Sequence, residues 1–372
     1  MRITNSMLVN NLMRNLNTNF TKVDDLQNMM ASGRKFGHIS DDPTALIYSQ
    51  AARNKLARLA HYQMSVGTAD KWLTQAEAGV MELQQVIANA YEACVDASTD
   101  VKGDNDRRNI GALIGQLRDH FVDTLNAAFG DKFIFGGYNT PGEPSSAITS
   151  NEIKPFTVEN GKLYYNGFDL SQFDRIPAKL ITVDLSGLDD VSAMAALQDI
   201  VASNSLDITG YDLDEVLKMH RLRNDVLSFD VGPGINMPVT MNGIDLVLFT
   251  TTDENGNAIT RNAFEVLQEL FVEANKDNSY ASDLIKMIKP LQDSQNHLLT
   301  KTAEIGGRAR RLELLDARYE QDYINYETMK SDAEDADMAE VIMRLRMAEA
   351  VMQASMSAGA RIIQPTLMDF LR

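Results

Sequence analysis

The sequence predicts a mainly α-helical protein with an α+β insert in the middle of the chain. Three observations support this fold class. Apolar residues recur at intervals of three and four near both ends, which is typical of amphipathic helices. Two longer segments inside those ends also have helical spacing. Between them, Asn-Gly pairs flanked by strand-like apolar runs replace the helical period.

The first helix is predicted over residues 5–31, with Ser32-Gly33 as its stop. Its apolar stripe matches that of the final helix in spacing. An isolated amphipathic helix is only marginally stable in water, so we expect the two stripes to pair with each other or with neighbouring subunits. The alternative is two ordinary amphipathic helices on a globular core. The stripes comprise Val9, Leu12, Leu16, Val23, Leu26 and Met30 near the start, and Val341, Leu345, Ala348, Met352 and Ile362 near the end.

A second, long helix is predicted to begin at Asp41-Asp42-Pro43, because aspartate can cap free amides and proline suits the first helical position. Its regular steps of four and three indicate coiled-coil packing. The seam residues are Ala69, Leu73, Ala76, Val80, Leu83, Ile87, Ala90 and Cys94. Since Cys94 lies in this seam, we interpret it as a small buried apolar residue and not as a nucleophile. After a turn at 102–104, a third helix is predicted to end near Gly130.

Residues 133–257 lose the helical period. Asn160-Gly161 and Asn255-Gly256 each predict a β-hairpin. Strands are also predicted over 180–185 and 239–249, and short helices over 191–201 and 213–226. Together these elements predict a compact α+β insert.

Helical patterning resumes at Asn262, and a second long helix is predicted over 279–329. The acids at 332, 334, 335 and 337 suit the positive end of the final helix. This nested order predicts three domains: a terminal helical assembly domain (1–42 and 332–372), a long-helix rod (43–133 and 259–331) and a β-rich inserted outer domain (134–258). Both termini should then lie at one end of the rod and the insert at the other.

Charge and composition exclude several function classes. The 372-residue chain has a net charge of -17, which argues against nucleic acid or an anionic membrane surface as partner. Its single cysteine excludes an intrachain disulfide. No apolar run is long enough for a cleavable signal peptide or for insertion into a bilayer, so neither is expected.

Residue patterns for catalysis or metal binding are weak. The five histidines are far apart in sequence, with no pair at the helical spacing of metal ligands. Residues 253–257 resemble a calcium loop only superficially, because the glycine is misplaced and no glutamate closes the loop. Gly306-Gly307 lacks a phosphate-loop lysine, and bending or close helix packing would explain it. We therefore expect a non-enzymatic protein without cofactor or metal.

Three motifs carry a resemblance to the flagellin superfamily: residues 2–7 (Arg-Ile-Thr-Asn-Ser-Met), Ser32-Gly33 with Asp41-Asp42-Pro43, and residues 334–340 (Glu-Asp-Ala-Asp-Met-Ala-Glu). Within it, the chain resembles the hook-associated protein 3 family of hook-filament junction proteins. Pro43 after the paired aspartates, 134–137 (Ile-Phe-Gly-Gly) and 231–234 (Val-Gly-Pro-Gly) resemble that family more than flagellin. The resemblance is strong over about a third of the chain, at its two ends.

This resemblance implies a flagellin-like rod and a structural role at the hook-filament junction. The implied partners are hook-associated protein 1, flagellin, further copies of the chain in a ring, and an export chaperone on the C-terminal region. The implied location is the extracellular flagellum, reached through the flagellar type III apparatus. The implied assembly interface extends from Ile3 to Met30 and from Met338 to Leu371. Flagellin itself, a secreted helical binding protein, and an enzyme with a site in the insert are the alternatives.

Overall fold

A computed structural model describes residues 5–38, 40–99, 103–130, 132–137, 154–183, 185, 187–204, 212–224, 226–253, 256–276 and 281–368. The helices are α1 (Asn5–Ser32), α2 (Pro43–Ala97), α3 (Asp104–Leu125), α4 (Ala178–Thr182), α5 (Asp190–Asn204), α6 (Leu213–Arg223), α7 (Ile244–Val247), α8 (Ala263–Ala274), α9 (Ala281–Glu334) and α10 (Met338–Met368). The strands are β1 (Ala128–Phe129), β2 (Lys132–Phe133), β3 (Phe156–Glu159), β4 (Lys162–Tyr165), β5 (Phe168–Asp169), β6 (Ser228–Gly232), β7 (Ile235–Pro238), β8 (Leu248–Thr252) and β9 (Ala258–Asn262). The predicted class, mainly α with a small antiparallel β region in mid-sequence, is confirmed.

The chain divides into two compact units. The terminal unit comprises Met1–His61 and Ala317–Arg372, and the central unit comprises Tyr62–Asp316. Helix α2 begins in the terminal unit and ends in the central unit, and α9 begins in the central unit and ends in the terminal unit. The three-domain division inferred from the sequence stays a prediction.

The heptad seam of α2 is part of the buried core of the central unit. Seven of its predicted members, from Ala69 to Ala90, are fully buried, and so is Cys94. The Cys94 thiol donates to the backbone oxygen of Leu284 in α9 at 3.3 Å, and burial raises its pKa to about 12. A thiol held in this protonated form is a poor nucleophile, as predicted.

Helix α9 supplies a seam that the sequence analysis missed. A residue at every seventh position is buried, which is the spacing of a coiled coil. These residues are Leu284, Leu291, Leu298, Ile305, Leu312 and Tyr319. The signal was present in the sequence, but Ser294, Lys301 and Arg308 occupy the alternate seam positions and interrupt the apolar pattern.

Aspartate side chains cap the first turns of α2 and α10. Asp42 Oδ1 accepts from the backbone amides of Thr44 and Ala45 at 3.0 Å, so α2 begins at Pro43 as predicted. At the start of α10 the capping acid is Asp337, which accepts from the amide of Ala339 at 2.9 Å. Glu334, which was expected to serve this helix end, belongs to the end of α9 instead.

The β region consists of small antiparallel sheets. Strands β3 and β4 form the predicted hairpin, and Asn160 and Gly161 both have positive φ (52° and 77°), as a type I′ turn requires. Strands β8 and β9 form the second, with Gly256 at φ 83°. The β6–β7 hairpin, which turns at Gly234 with φ 71°, was not predicted.

Two strand predictions were wrong. Residues 180–185 contribute to the short helix α4, and residues 239–249 contain α7 before β8 begins at Leu248. Both segments are apolar runs buried by tertiary contacts, and such runs do not distinguish a strand from a short buried helix. The predicted helices at 191–201 and 213–226 are confirmed as α5 and α6.

The segment after β2 holds the β region against α2. Phe135 is fully buried, and its ring occupies the space where a side chain on Gly79 would be, since a Cβ atom there would lie 2.8 Å from the ring. The backbone oxygen of Phe135 accepts from the amide of Gly243 at 3.0 Å. Gly243 is itself closed in by the Phe156 ring, which leaves no room for a Cβ atom. Phe135 therefore links α2 to the β region through two glycines that must remain glycine.

Candidate assembly surface

Helices α1 and α10 pack against each other as an antiparallel pair in the terminal unit. Leu12 lies against Gly359, where a Cβ atom would be 2.9 Å from Leu12 Cδ2. Further along α1, Asn19 Nδ2 donates to Ser355 Oγ at 3.2 Å. From the first contact to the second, the residue number rises in α1 and falls in α10, so the two helices run in opposite directions. The absence of a side chain at Gly359 lets them approach closely.

The predicted terminal stripes meet in this pair. Val23, Val341 and Leu345 are buried, with 6–7% exposure. The predicted residues that are half-buried are Val9, Leu12, Leu16, Leu26, Ala348 and Met352. The stripes thus pack on each other within one chain, and their role in contacts between subunits stays a prediction.

Four predicted interface residues need separate mention. Met30 is 41% exposed, and the neighbouring Met29 is the half-buried residue at this end of α1. Ile362 lies in α10, but its side chain is outside the described part of the structure. Ile3 and Leu371 lie outside the described residues altogether.

Polar and small residues of the seam were missed by the sequence analysis. Asn19 and Ser355 occupy inward positions and bond to each other, and Gly359 is buried against Leu12. The signal was positional, because Asn19 continues the three-and-four spacing between Leu16 and Val23. An inward polar pair of this kind can fix the register of a helix pair.

Helix α10 carries a second apolar stripe that α1 does not cover. Met343, Met347 and Val351 recur every four residues and are 53–57% exposed. At 3.6 residues per turn, Met347 lies about 160° around the helix from Leu345. In the described parts of α1 and α10, the other large apolar side chains that are exposed are Met7, Leu8, Met13, Phe20, Met30, Met338, Ile342 and Met356. Exposed apolar residues at this density are typical of a protein-protein contact surface.

A short backbone bridge joins the ends of the helix pair to the long helices. Gly33, with φ 71°, ends α1 in the left-handed conformation that favours glycine. The amide of Lys35 donates to the oxygen of Glu334 at 2.7 Å, and the amide of Ala336 donates to the oxygen of Gly33 at 2.9 Å. The segment after α1 is thereby paired with the segment between α9 and α10.

The Glu334 carboxylate is the buried ionic centre of this joint. It is 2% exposed, accepts from Arg53 Nε and Nη2 at 2.6 Å each, and accepts from the Ser49 hydroxyl. The bonds from Arg53 lower the pKa of Glu334 from 4.5 to about 2, against the opposing effect of burial. Arg53 and Ser49 lie one turn apart on α2, so the carboxylate ties α2 to the end of α9. Beyond the residue types, no pattern in the sequence pointed to this contact.

We expect Glu334→Gln to weaken the terminal unit at neutral pH by about 2 kcal/mol, because hydrogen bonds to a charged group are lost. The folded-state pKa is below the unfolded value, so the ionised carboxylate stabilises the fold above about pH 4.5 and loses this effect as the pH falls toward 2. Thermal unfolding of both proteins between pH 7 and pH 2.5 would measure this. The difference in Tm should shrink with acidification; a difference independent of pH would contradict the assignment.

Within the described ranges, no three His, Cys, Asp or Glu side chains are grouped so that they could hold a metal ion. Among the helices of the described segments, none has an apolar stretch long enough to cross a bilayer.

Comparison with known proteins identifies similar chains. Residues 3–140 match the family described as the bacterial flagellin N-terminal helical region. The chain is 24% identical to flagellar hook-associated protein 3 of Escherichia coli over 96% of both chains. It is 24% identical to a flagellin of Clostridium tyrobutyricum, but over only 34% of this chain and 33% of that one. A crystal structure of flagellar hook-associated protein 3 from Legionella pneumophila has the same fold, with a TM-score of 0.50 and 10% identity over 80% of this chain and 99% of that chain.

Proposed function

We propose that the chain is a flagellin-superfamily protein of the same kind as the flagellar hook-associated protein 3 chains it is similar to, and that it is a structural subunit of the bacterial flagellum at the hook-filament junction. The observation that carries the proposal is similarity along the whole chain. The relative named hook-associated protein 3 matches 96% of the sequence, whereas the flagellin match covers 34%. A filament subunit would be expected to match flagellin beyond that part.

The surface of the terminal unit supports an assembly role. Its α1–α10 pair already satisfies the inward stripes, so the outer stripe of Met343, Met347 and Val351 is available to another subunit. Burying such side chains contributes about 1.5–3 kcal/mol each, which is enough for a few per subunit to hold a lattice together. The proposed interface comprises this stripe together with the terminal residues inferred from the sequence.

The proposed partners follow from a position between unlike neighbours. They are hook-associated protein 1 on the hook side, flagellin on the filament side, and further copies of the chain in a ring. An export chaperone would hold the C-terminal region before assembly, and the flagellar type III apparatus would export the chain. The proposed role is structural, without catalysis.

Deletion of the gene tests the junction assignment. Hooks should then lack filaments, while flagellin is still made and is lost to the medium. Purified protein added to such hooks, with the hook-side junction protein where needed, should restore filament growth. If the deletion leaves filament growth intact, or if the purified protein polymerises alone into long filaments, the assignment fails and flagellin becomes the better one.

A variant of the outer stripe tests the surface. Met347→Asp places a carboxylate on the exposed side of α10, so the folded subunit should keep the unfolding temperature and the protease resistance of the wild type. It should nevertheless fail to restore filaments in the deletion strain. Full restoration by this variant would remove the outer stripe from the interface.

A further inference from the structure

Four helix glycines of this chain have a clear steric reason. At each of them a Cβ atom would come very close to a side chain of another element. The distances are 2.8 Å for Gly79 to Phe135, 2.8 Å for Gly111 to Asn275, 3.0 Å for Gly115 to Phe271 and 2.9 Å for Gly359 to Leu12. Each is therefore a place where another element approaches a helix too closely for a side chain. The remaining helix glycines can be compared with these four by asking whether a side chain would fit.

Gly67 in α2 and Gly306-Gly307 in α9 have no such steric reason to be glycine. Apart from the adjoining residues and the backbone of the helix itself, no heavy atom lies within 4 Å of a Cβ position at any of the three, and none has a positive φ. Alanine would fit both the space and the backbone. The close packing that the sequence suggested for Gly306-Gly307 is thus excluded, which leaves bending as the remaining explanation.

Their position also excludes a role in ending a helix. Gly67 lies deep inside the 55-residue α2, and Gly306-Gly307 lies deep inside the 54-residue α9. Glycine makes a helix interior about fivefold less favourable per residue than alanine does, because the unfolded backbone gains freedom. Nothing in the packing offsets this loss at the three positions.

The buried seams continue past the glycines without interruption. Val66 and Ala69 are 3% and 0% exposed on either side of Gly67, and Ile305 and Leu312 are 0% and 1% exposed around Gly306-Gly307. Gly67 and Gly307 are on the exposed side of their helices. A helix bends most readily by lengthening hydrogen bonds on its solvent side, which is where these glycines weaken it.

We propose that Gly67 and Gly306-Gly307 form a bending segment of the two long helices, in which each helix changes curvature while its buried seam stays closed. Only the purpose of this segment rests on the proposed function: a subunit placed between unlike neighbours has to fit two surfaces. The bending itself follows from the glycines and the seams.

Hydrogen-deuterium exchange on the full-length purified protein tests the bending. Amides around 64–70 and 303–310 should exchange at least fivefold faster than amides of α2 around Ile87 and of α9 around Leu298, where the seam is equally buried. The triple variant Gly67→Ala, Gly306→Ala, Gly307→Ala should fold normally, raise the Tm and slow exchange in both segments by about fivefold or more. Wild-type exchange no faster than in the comparison segments would overturn the proposal.

Two controls separate bending from general stability. Gly79→Ala should lower the Tm, because its Cβ atom meets Phe135, so a rise in Tm there would show that the distinction between the two classes of glycine is wrong. Thr74→Ala changes an exposed residue of α2 to a better helix former and should leave exchange at 303–310 unchanged. If Thr74→Ala slowed exchange there as much as the triple variant does, the effect would not belong to the glycines.

The purpose of the segment is tested in the deletion strain, once the wild-type protein has been shown to restore its filaments. The triple variant should restore filaments but reduce swimming speed in viscous medium by at least twofold relative to wild type, with Thr74→Ala unaffected. Equal swimming at all viscosities would overturn the stated purpose. Failure of the deletion test would overturn the junction assignment instead, and the exchange measurement would still decide whether the helices bend.

Discussion

Charging the seam of the terminal helix pair should abolish assembly. Leu345 is buried and Met352 is half-buried on α10, the helix that packs against α1, so Leu345→Asp with Met352→Asp removes one apolar contact of about 1.5–3 kcal/mol and a smaller one, and places carboxylates in their position. We expect α1 and α10 to separate while the central unit stays folded. Brief trypsin digestion should then cleave at Arg14 and Arg344, and cells carrying the variant should be non-motile.

The matched control is Gln353→Asp. Gln353 follows Met352 directly, is exposed, and would carry one of the same charges on the outside of α10. The helix pair should remain as protease-resistant as in the wild type. Full motility of the double variant would show that the inward stripe is not required for assembly, and equal cleavage of both variants would show that charge on any side of α10 opens the pair.

Removing the ring of Phe135 should cause the largest loss of stability in the central unit. Phe135→Ala leaves a cavity beside Gly79, which has no side chain that could move into it. Phenylalanine-to-alanine changes at fully buried sites cost about 3–5 kcal/mol. Urea unfolding followed by far-ultraviolet circular dichroism should show a lower midpoint for the transition of the central unit.

Phe129→Ala provides the comparison. Phe129 is 36% exposed and meets Trp72 edge-on at 5.7 Å between ring centroids, so its replacement should cost about 1 kcal/mol. A cost at Phe135 no greater than at Phe129 would show that the contact with α2 is not a major source of stability. The reverse change, Gly79→Val, should also destabilise the unit, because its side chain would collide with the Phe135 ring.

The helical part of the fold was predictable because its signals are repetitive. The α2 seam from Ala69 to Cys94, the cap at Asp42 and the hairpin at Asn160-Gly161 each depend on local spacing or on a local backbone preference. The α4 and α7 segments were assigned to strands because helices of five and four residues are too short to show a helical period. Only tertiary contacts distinguish a short helix from a strand there.

The sequence predicted the two inward stripes of the candidate assembly surface, but not its polar contacts or its exposed outer stripe. Spacing identified Leu345 and Val23 as inward residues, since both obey the heptad-like period. It could not identify the bond between Asn19 and Ser355 or the contact between Arg53 and Glu334. Those partners are 336 and 281 residues apart in the chain, and periodicity carries no information about which distant residues meet. The outer stripe of α10 became recognisable only once the side covered by α1 was known.

The pairing of α1 with α10 has a consequence for the order of folding. Asn19 bonds to a serine 336 residues away, so this contact closes a loop comprising nearly the whole chain. Forming a contact between residues so far apart in the chain costs loop-closure entropy before any packing energy is gained. Such contacts therefore form late, unless the intervening chain has already folded and shortened the effective loop. The contact between Cys94 of α2 and Leu284 of α9, which lie 190 residues apart in the chain, provides part of that shortening if it forms first.

Helix α1 is therefore synthesised long before its partner α10. Until α10 is available, the inward stripe of Leu12, Leu16 and Val23 is not packed against it, and an amphipathic helix in a protein gains most of its stability from such packing. We expect the closing of this pair to be the last step in the folding of the subunit. Its rate, and not the rate of folding of the central unit, should set how soon a newly made chain can join its neighbours.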